Sequence, residues 1–138
     1  FCFSLAILDL DHFKEINDEY GHRVGDQVLA SAASALARIS RPCDQLFRYG
    51  GDEFVAVVPG EDEFAAVRVI ERMVDAIRGV SIDLPEGKVG LTCSAGIVHP
   101  SAVPSLFEIN QVLEFADRAL YQAKRTGRDC AVSYSTLV

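Results

Sequence analysis

The sequence predicts a single α+β domain in which helices pack on a central, mostly antiparallel sheet. Short β-prone stretches alternate with longer stretches of helical periodicity, in the order β-α-α-β-β-α-β-α-β. The 138 residues are 49% hydrophobic and 24% charged, which is enough apolar material to bury a core. Neither an internal repeat nor a low-complexity tract interrupts this pattern, and only the C-terminal STLV is predicted to be a linker.

The first predicted strand, residues 3–8, is a nearly continuous apolar run, as expected of a central strand. Asp9 and Asp11 follow where the strand meets solvent, and Asp11 is expected to cap the helix that comes next. Gly21 is expected to close that helix. The end of this first strand therefore carries two acids on a short loop.

A second helix is predicted over residues 25–39 and ends at Arg41 and Pro42. Its apolar positions recur at helical spacing: Val28, Leu29, Ala32, Leu36 and Ile39. Residues 45–49 and 54–58 are β-prone and flank Gly50-Gly51-Asp52-Glu53, which predicts a hairpin whose glycine turn presents two carboxylates.

A third helix is predicted over residues 61–78, and its apolar face is assigned to the core. That face consists of Phe64, Val67, Ile70, Val74 and Ile77. Residues 81–90 are predicted to form a loop with a weak strand, and residues 91–99 a strand in which Gly96 marks a bulge or a close backbone approach.

Pro100 and Pro104 end that strand, and a fourth helix is predicted over residues 107–125, stopped by Gly127. A last strand is predicted over residues 131–134. The sequence thus predicts a sheet covered by four helices.

The formal charge of −7 argues against a broad basic surface for nucleic acid or for an anionic membrane. We therefore expect no contact of this domain with nucleic acid or membrane, and expect bound phosphates to be held by metal or by a few placed cations. No apolar run reaches the length of a membrane span, and the first residues lack the features of a signal peptide. The spacing of Cys2, Cys43, Cys93 and Cys130 fits neither a zinc site nor a disulfide framework, so we expect reduced, mostly buried thiols in a cytoplasmic protein.

Asp9 and Asp52 are the candidate metal ligands. Adjacent antiparallel strands would bring the end of the first strand and the hairpin turn to one edge of the sheet, and two converging carboxylates suit Mg²⁺ that also binds substrate phosphates. The alternative is that both acids serve only local turn and helix chemistry, which Asp favours.

Three ordered segments resemble the GGDEF family of diguanylate cyclases and together cover nearly the whole chain. The string RYGGDEF at residues 48–54 is similar to the family signature. The strings DLDHFKEINDEYGHRVGD at residues 9–26 and ADRALYQAKRTGRD at residues 116–129 resemble two further family blocks. The resemblance implies a nucleotidyl cyclase or palm-like fold with a ferredoxin-like core.

For the metal, the resemblance implies that Asp9, the backbone carbonyl of Leu10, and Asp52 coordinate Mg²⁺ or Mn²⁺. It also implies a catalytic group formed by Asp52, Glu53 and Lys14, in which Lys14 offsets charge on the transferred phosphoryl group. Asp52 has been assigned the role of base for the 3′-hydroxyl in this family, although a metal-bound carboxylate is a poor base. Without the resemblance, Lys14 would be an ordinary exposed helix lysine.

For GTP, the resemblance implies two sets of contacts. The backbone N–H groups near His12 and Phe13, at the start of the first helix, would hold phosphates. The remaining implied substrate-binding residues are Asn17 and Asp26, which would read guanine, His22 near the nucleotide, and Lys124 and Arg128 on the terminal phosphates. Local sequence alone would suggest that Asn17 is an ordinary polar residue on a helix surface, that Asp26 caps a helix and that His22 is a solvent-facing loop residue. It would also suggest that the two cations only complete the C-terminal end of a helix.

Arg41 and Asp44 match the Arg-x-x-Asp pair of the family's inhibitory site, which binds the product cyclic di-GMP, and Arg72 matches a further arginine of that site. Guanidinium groups can bind phosphate or a guanine edge bidentately. The alternative is a helix-ending turn with a surface ion pair.

The function implied is that of a diguanylate cyclase, which condenses two GTP into cyclic di-GMP as a homodimer in cyclic di-GMP signalling. The alternatives are an inactive GTP- or cyclic di-GMP-binding sensor for an adjacent domain, and a cyclase or polymerase-like palm with another nucleotide preference. The family segment with an Asp-x-Leu-Thr-Gly-Leu motif does not precede the first strand here, and Asp129 stands where the family more often has Asn. We therefore expect residues 1–138 to be one GGDEF domain cut from a longer protein, which contains a regulatory domain and can be membrane-anchored.

Overall fold

The computed structural model describes residues 2–60, 62–99 and 108–138. In chain order, the elements are β1 (Phe3–Leu10), α1 (Phe13–Tyr20), α2 (His22–Ile39), β2 (Gln45–Arg48), β3 (Glu53–Pro59), α3 (Glu63–Arg78), β4 (Ser81–Leu84), β5 (Gly87–Gly90), β6 (Cys93–Val98), α4 (Ile109–Arg125), β7 (Ala131–Ser133) and a 3₁₀ helix (Tyr134–Leu137).

The five-stranded sheet has the order β2-β3-β1-β6-β7. All its neighbours are antiparallel except β6 and β7, which are parallel. The unit β1-helix-β2-β3-α3-β6, with β1 between β3 and β6, is the ferredoxin-like arrangement, and α4 connects it to β7. The predicted α+β class with a central, mostly antiparallel sheet is confirmed.

Strand β1 lies at the centre because nearly all its residues are apolar and can be buried on both faces. Leu5, Ala6, Ile7 and Leu8 are each at most 2% exposed. Alternate residues belong to two cores, one shared with α2 and α3 and the other with α4. Asp9 continues the second set, so it lies on the sheet face that α4 covers.

Helix α4 packs directly on β6 at Gly96. A Cβ atom there would lie 2.1 Å from the Ala116 carbonyl oxygen and 2.2 Å from the Leu120 nitrogen. Of the two readings of this glycine, the close backbone approach is the one observed. The contact sets how near the C-terminal end of α4 comes to the end of β1.

Several local predictions were wrong. Residues 81–90 form the antiparallel hairpin β4–β5 instead of a loop with a weak strand. Phe64 is 81% exposed and does not join the core, because it lies in the first turn of α3, where Asp62 caps the helix by accepting from the Phe64 N–H at 2.9 Å. The STLV segment is largely the 3₁₀ helix, which starts at Tyr134, and the ring of Tyr134 stacks on Phe115 at 4.6 Å.

The cysteines are free thiols, as expected, but they are not mostly buried. Cys93 is buried, Cys2 and Cys130 are half-buried, and Cys43 is exposed. Burial raises the pKa of the Cys93 thiol well above its usual range.

Some predictions concern positions for which the structure gives no description. Two helices are predicted to begin at Glu61 and Phe107, and one strand is predicted to end at Pro100 and Pro104. All four positions lie outside the described residues. None of the helices in the described ranges combines the length and the apolar character needed to span a bilayer.

Candidate active site

The end of β1 and the tip of the β2–β3 hairpin meet at one edge of the sheet. The β1–β3 register runs from Phe3 opposite Pro59 to Asp9 opposite Glu53. One residue further on, the Leu10 N–H donates to the Asp52 carbonyl oxygen at 3.0 Å. Antiparallel pairing thus brings together acids that are far apart in sequence.

Two carboxylates at this edge, those of Asp9 and Glu53, have a raised proton affinity. Burial, with a further contribution from Asp52, raises the pKa of Asp9 to about 6, against the opposing effect of Lys124. Burial and the nearby Asp52 also raise the pKa of Glu53. Such crowding of negative charge is relieved by a cation, so this edge fits a divalent metal ion.

Among the described residues, no group of three His, Cys, Asp or Glu side chains has the arrangement of a closed metal site. Mg²⁺ can nevertheless bind to an open set of two carboxylates and one backbone carbonyl, because the ion fills its remaining coordination positions with waters and substrate phosphates. Asp9, Asp52 and the Leu10 carbonyl are the residues that could provide it.

Lys124, in the last turn of α4, donates a hydrogen bond to Asp9 Oδ2. Burial lowers the pKa of Lys124, but the contact with Asp9 outweighs it and leaves the pKa above its ordinary value. The site therefore holds one firmly protonated amine among its acids.

A cavity of ≈160 Å³ surrounds these groups and is lined by residues 9–15, Asp52, Lys124 and Arg128. This volume is below the roughly 300–1,000 Å³ of a pocket that encloses a whole drug-sized ligand. Larger grooves of ≈540 and ≈380 Å³ lie along α3, away from Asp9 and Asp52. The smaller cavity is the chemically relevant one, because it is where charged groups of both signs converge.

The β1–α1 loop places the start of α1 in this cavity. His12 adopts the left-handed conformation, with φ 58°, and the first helical bond runs from the Ile16 N–H to the His12 carbonyl at 3.1 Å. The preceding N–H groups of the first turn have no partner within the helix, so they are available to an anion. The Lys14 and His12 side chains are exposed.

The structure corrects the local role assigned to Asp11. No side chain caps α1, and the residue at its N-cap position is His12. The Asp11 carboxylate is instead buried and accepts hydrogen bonds from Thr92, Ser94 and the Asp129 backbone. Local sequence gives no signal for these partners, which are at least 81 residues away.

Asn17 and Asp26, the two predicted guanine contacts, lie on the adjoining helices α1 and α2. These helices cross closely, since a Cβ at Gly25 would lie 1.8 Å from Asn17 Oδ1. Asp26 is exposed and lies inside α2, because α2 begins at His22 and not near Gly25, so the alternative that Asp26 caps this helix is wrong. His22 is likewise an exposed helical residue and not a loop residue.

Arg128 reaches the cavity from the turn after α4. Gly127, Arg128 and Asp129 all have positive φ (120°, 64° and 52°), and the Arg128 N–H donates to the Ala123 carbonyl at 3.0 Å. Lys124 and Arg128 both line the cavity, one from the end of a helix and the other from a left-handed turn rather than from one continuous helix.

Arg41 and Asp44 form a closed pair between α2 and β2. The Arg41 guanidinium donates to Asp44 Oδ1 at 2.9 Å, and its backbone N–H donates to Oδ2 at 2.9 Å. Burial opposes ionisation of Asp44, but these hydrogen bonds hold its pKa below the usual value. Arg72 lies on the exposed side of α3, and in the described part of the chain no hydrogen bond or ion pair joins it to this pair.

Comparison with known proteins gives a consistent family match. The family model described as "Diguanylate cyclase, GGDEF domain" matches residues 1–130. The chain is 43% identical to the diguanylate cyclase DgcP of Pseudomonas aeruginosa over 129 residues, which are 91% of this chain and 18% of that protein. It is 41% identical to the diguanylate cyclase DgcS of Shewanella oneidensis over 127 residues, which are 92% of this chain and 40% of that protein.

Solved structures agree with the sequence relatives. The GGDEF domain of DgcB from Caulobacter crescentus, in complex with c-di-GMP, superposes with a TM-score of 0.87 at 32% identity, covering 96% of this chain and 78% of that one. The diguanylate cyclase SiaD of Pseudomonas aeruginosa, in complex with its activator SiaC, has a TM-score of 0.88 at 35% identity, covering 96% of this chain and 50% of that one. The chain thus spans less than half the length of the curated relatives named above.

Proposed function

The chain belongs to the GGDEF domain family, and on this basis we propose that it is the catalytic domain of a diguanylate cyclase, which condenses two GTP into cyclic di-GMP and releases two pyrophosphates. The observation that carries the proposal is the convergence of Asp9, the Asp52 hairpin tip and Lys124 around one small cavity. Three features of this cavity suit nucleotidyl transfer: paired acids, a helix start, and two cations at the end of α4 and in the turn after it.

Asp9, Asp52 and the Leu10 carbonyl would hold Mg²⁺ or Mn²⁺. When bound, the metal would supply positive charge beside the β- and γ-phosphates. The raised pKa of Asp9 and Glu53 supports this assignment, because it comes from burial of the carboxylates and, to a smaller extent, from their repulsion, and a bound cation would offset both.

The phosphates would be held by this chain's own donors. The N–H groups at His12 and Phe13 present the positive end of α1, and Lys14 lies one residue further on. Lys124 and Arg128 line the opposite side of the cavity and would bind the terminal phosphates. The cavity of ≈160 Å³ is large enough for phosphates but too small for a whole nucleotide, so the base would lie outside it, toward α1 and α2.

Guanine recognition would fall to Asn17 and Asp26 on those helices, with His22 beside them. An aspartate accepts from both N1–H and the exocyclic amine of guanine, and adenine lacks that pair of donors. The close crossing of α1 and α2 at Gly25 supports the assignment, because it brings the two helices within reach of one base.

In the reaction, the 3′-oxygen of one GTP forms a bond to the α-phosphorus of the other, and the bond from that phosphorus to the pyrophosphate oxygen breaks. The 3′-hydroxyl proton must be accepted as this happens. Glu53 is the hairpin acid left free if Asp52 binds metal, so we assign Glu53 the acceptor role and Asp52 the metal role. Two such transfers, one in each direction, need two domains facing each other, so the active form would be a homodimer.

Regulation would involve the product and a partner. Arg41, Asp44 and Arg72 would bind cyclic di-GMP and inhibit turnover, with Arg41 already held in a bidentate arrangement by Asp44. A regulatory domain or partner would control the encounter of two domains.

The test is GTP turnover by the full-length protein with Mg²⁺, with cyclic di-GMP detected by mass spectrometry. Asp52→Ala should lower the rate by roughly 10²–10³-fold or more, the loss typical of removing a preorganised electrostatic group. Asp83→Ala, an exposed acid on β4, is the matched control and should leave the rate unchanged. Tight GTP binding without product, even in a forced dimer, would instead identify a sensor domain, and equal competition by ATP would reject the guanine assignment.

A further inference from the structure

Asp11 is a buried acid that the proposed reaction does not use. It is 5% exposed and stands between Leu10 and His12, in the loop that carries both the metal and the phosphate contacts. Burying a carboxylate is costly unless hydrogen bonds compensate it, so its partners indicate what it does.

The Asp11 carboxylate joins three separate segments of the chain. Oδ1 accepts from Ser94 Oγ at 2.7 Å, and Oδ2 accepts from Thr92 Oγ1 at 2.7 Å and from the Asp129 backbone N–H at 3.1 Å. The Asp11 N–H also donates to the Thr92 carbonyl at 2.9 Å. The β1–α1 loop, the start of β6 and the turn before β7 are thereby fixed to one side chain.

The third contact matters most for the site, because Asp129 directly follows Arg128. The turn is held on both sides of that contact: the Arg128 N–H donates to Ala123 at 3.0 Å, and Arg78 of α3 donates to the Asp129 carboxylate at 3.0 Å. The position of Arg128 relative to Asp9 therefore depends on a bond that runs through Asp11.

We infer that Asp11 is a positioning residue, which locks the turn carrying Arg128 and the end of α4 against the loop carrying Asp9. This inference deepens the proposed function and depends on it for the kinetic effects. Asp11 touches neither metal nor phosphate in this role, and what it requires is acceptor geometry rather than negative charge.

The distinction between geometry and charge can be tested with asparagine. In Asp11→Asn, an amide oxygen at the Oδ2 position still accepts from Thr92 and from the Asp129 N–H, while the amide nitrogen donates to the Ser94 hydroxyl. All three links survive without the charge. Asp11→Ala removes all three.

The matched comparison is Asp9→Asn, the same substitution two residues earlier at the proposed metal ligand. We expect Asp11→Asn to keep kcat/KM for GTP within about tenfold of the natural protein and to leave its Mg²⁺ dependence unchanged. Asp11→Ala should lose about 10²-fold, as small displacements of catalytic groups do. Asp9→Asn should lose at least as much and require more Mg²⁺. An Asp11→Asn variant as impaired as Asp9→Asn would overturn the inference, since charge would then be the requirement.

A second readout does not depend on cyclase activity. The Asp129 amide proton should be protected from hydrogen exchange, and this protection should persist in Asp11→Asn and fall in Asp11→Ala. Persistent protection in a folded Asp11→Ala protein would reject the link even if every variant lacks activity, which separates this inference from the proposed function. Should Asp11→Ala fail to fold, the double variant Thr92→Val with Ser94→Ala replaces it, because it removes the two hydroxyl donors that orient the Asp11 carboxylate toward the Asp129 N–H. A loss of roughly tenfold in kcat/KM would then support the role, and an unchanged value would reject it.

Discussion

At the scale of single residues, Asp9 and Asp11 show how neighbours decide what one residue type does. Both end the first strand, and both are buried. Burial, with smaller contributions from Asp52 and Glu53, raises the pKa of Asp9 to about 6, and the hydrogen bond from Lys124 opposes this rise. Asp11 faces three neutral donors that are already oriented by the fold. The negative charge around Asp9 would be stabilised by a bound cation, whereas the hydrogen bonds of Asp11 are already satisfied within the chain.

Arg41 gives a prediction at the same scale. Arg41→Ala should raise the cyclic di-GMP concentration needed for half-inhibition by about ten- to a hundredfold, because a hydrogen bond to a charged group contributes roughly 1.5–3 kcal/mol. Inhibition curves measured at fixed GTP give the value. The free energy of unfolding should also fall by about 1–3 kcal/mol, because the Asp44 side chain is 0% exposed and loses the guanidinium donors that compensate its burial.

The control for Arg41 is Arg118→Ala. Arg118 donates to Glu114 at 2.7 Å in a more exposed ion pair on α4, outside the proposed product site. An inhibition curve that shifts equally in both variants, or in neither, would remove Arg41 from the inhibitory site.

At the scale of elements, the packing of α4 on β6 affects both the stability of the fold and the geometry of the site, because the C-terminal end of α4 lies at the cavity. Gly96 allows this seating, and the atoms it faces are backbone atoms of Ala116 and Leu120, which cannot move aside as a flexible side chain could. Close seating is what lets Lys124, in the last turn, reach Asp9.

We therefore expect Gly96→Ala to lower the free energy of unfolding by about 1–3 kcal/mol or more, as overpacking does, and to reduce turnover as α4 is pushed outward. Urea unfolding followed by circular dichroism measures the change. Gly90→Ala is the control: no heavy atom lies within 4 Å of its Cβ position, so it should be neutral or slightly stabilising. Equal stability of the two variants would contradict the close contact at Gly96.

At the scale of the whole molecule, the domain has a formal charge of −7 and yet is proposed to bind polyphosphate. The fold resolves this by gathering Lys14, Lys124 and Arg128 around one cavity, together with a helix start. The proposed reaction also needs a second GTP opposite the first, and a single copy of the domain would bind only one.

A dimer requirement predicts that specific activity falls on dilution below the dissociation constant of the dimer, at saturating GTP and Mg²⁺. Adding an excess of the Asp52→Ala chain should inhibit the natural chain, because mixed dimers hold one defective half-site. Activity measured across a hundredfold dilution series, with light scattering for the oligomeric state, tests both. Constant specific activity from a monomer would reject the dimer.

The α+β class and most elements could be predicted from the sequence, because apolar periodicity is a local property. The β4–β5 hairpin was missed because Pro85 and Glu86 occupy its turn in place of the Gly or Asn that usually indicates a two-residue loop. Phe64 was wrongly placed in the core because periodicity does not indicate where the covering layer ends.

By itself, the sequence determined that one strand ends in acids, that a glycine hairpin presents two more, and that cations lie near the end of the last long helix. These are features of consecutive residues. Only the tertiary structure decided that Asp9 meets Lys124, and that Asp11 binds Thr92 and Asp129 instead of capping α1. The physical reason is that these contacts join residues 81–118 positions apart. The sheet register and the packing of α4 on β6 bring these residues together, and neither can be predicted from a local sequence pattern.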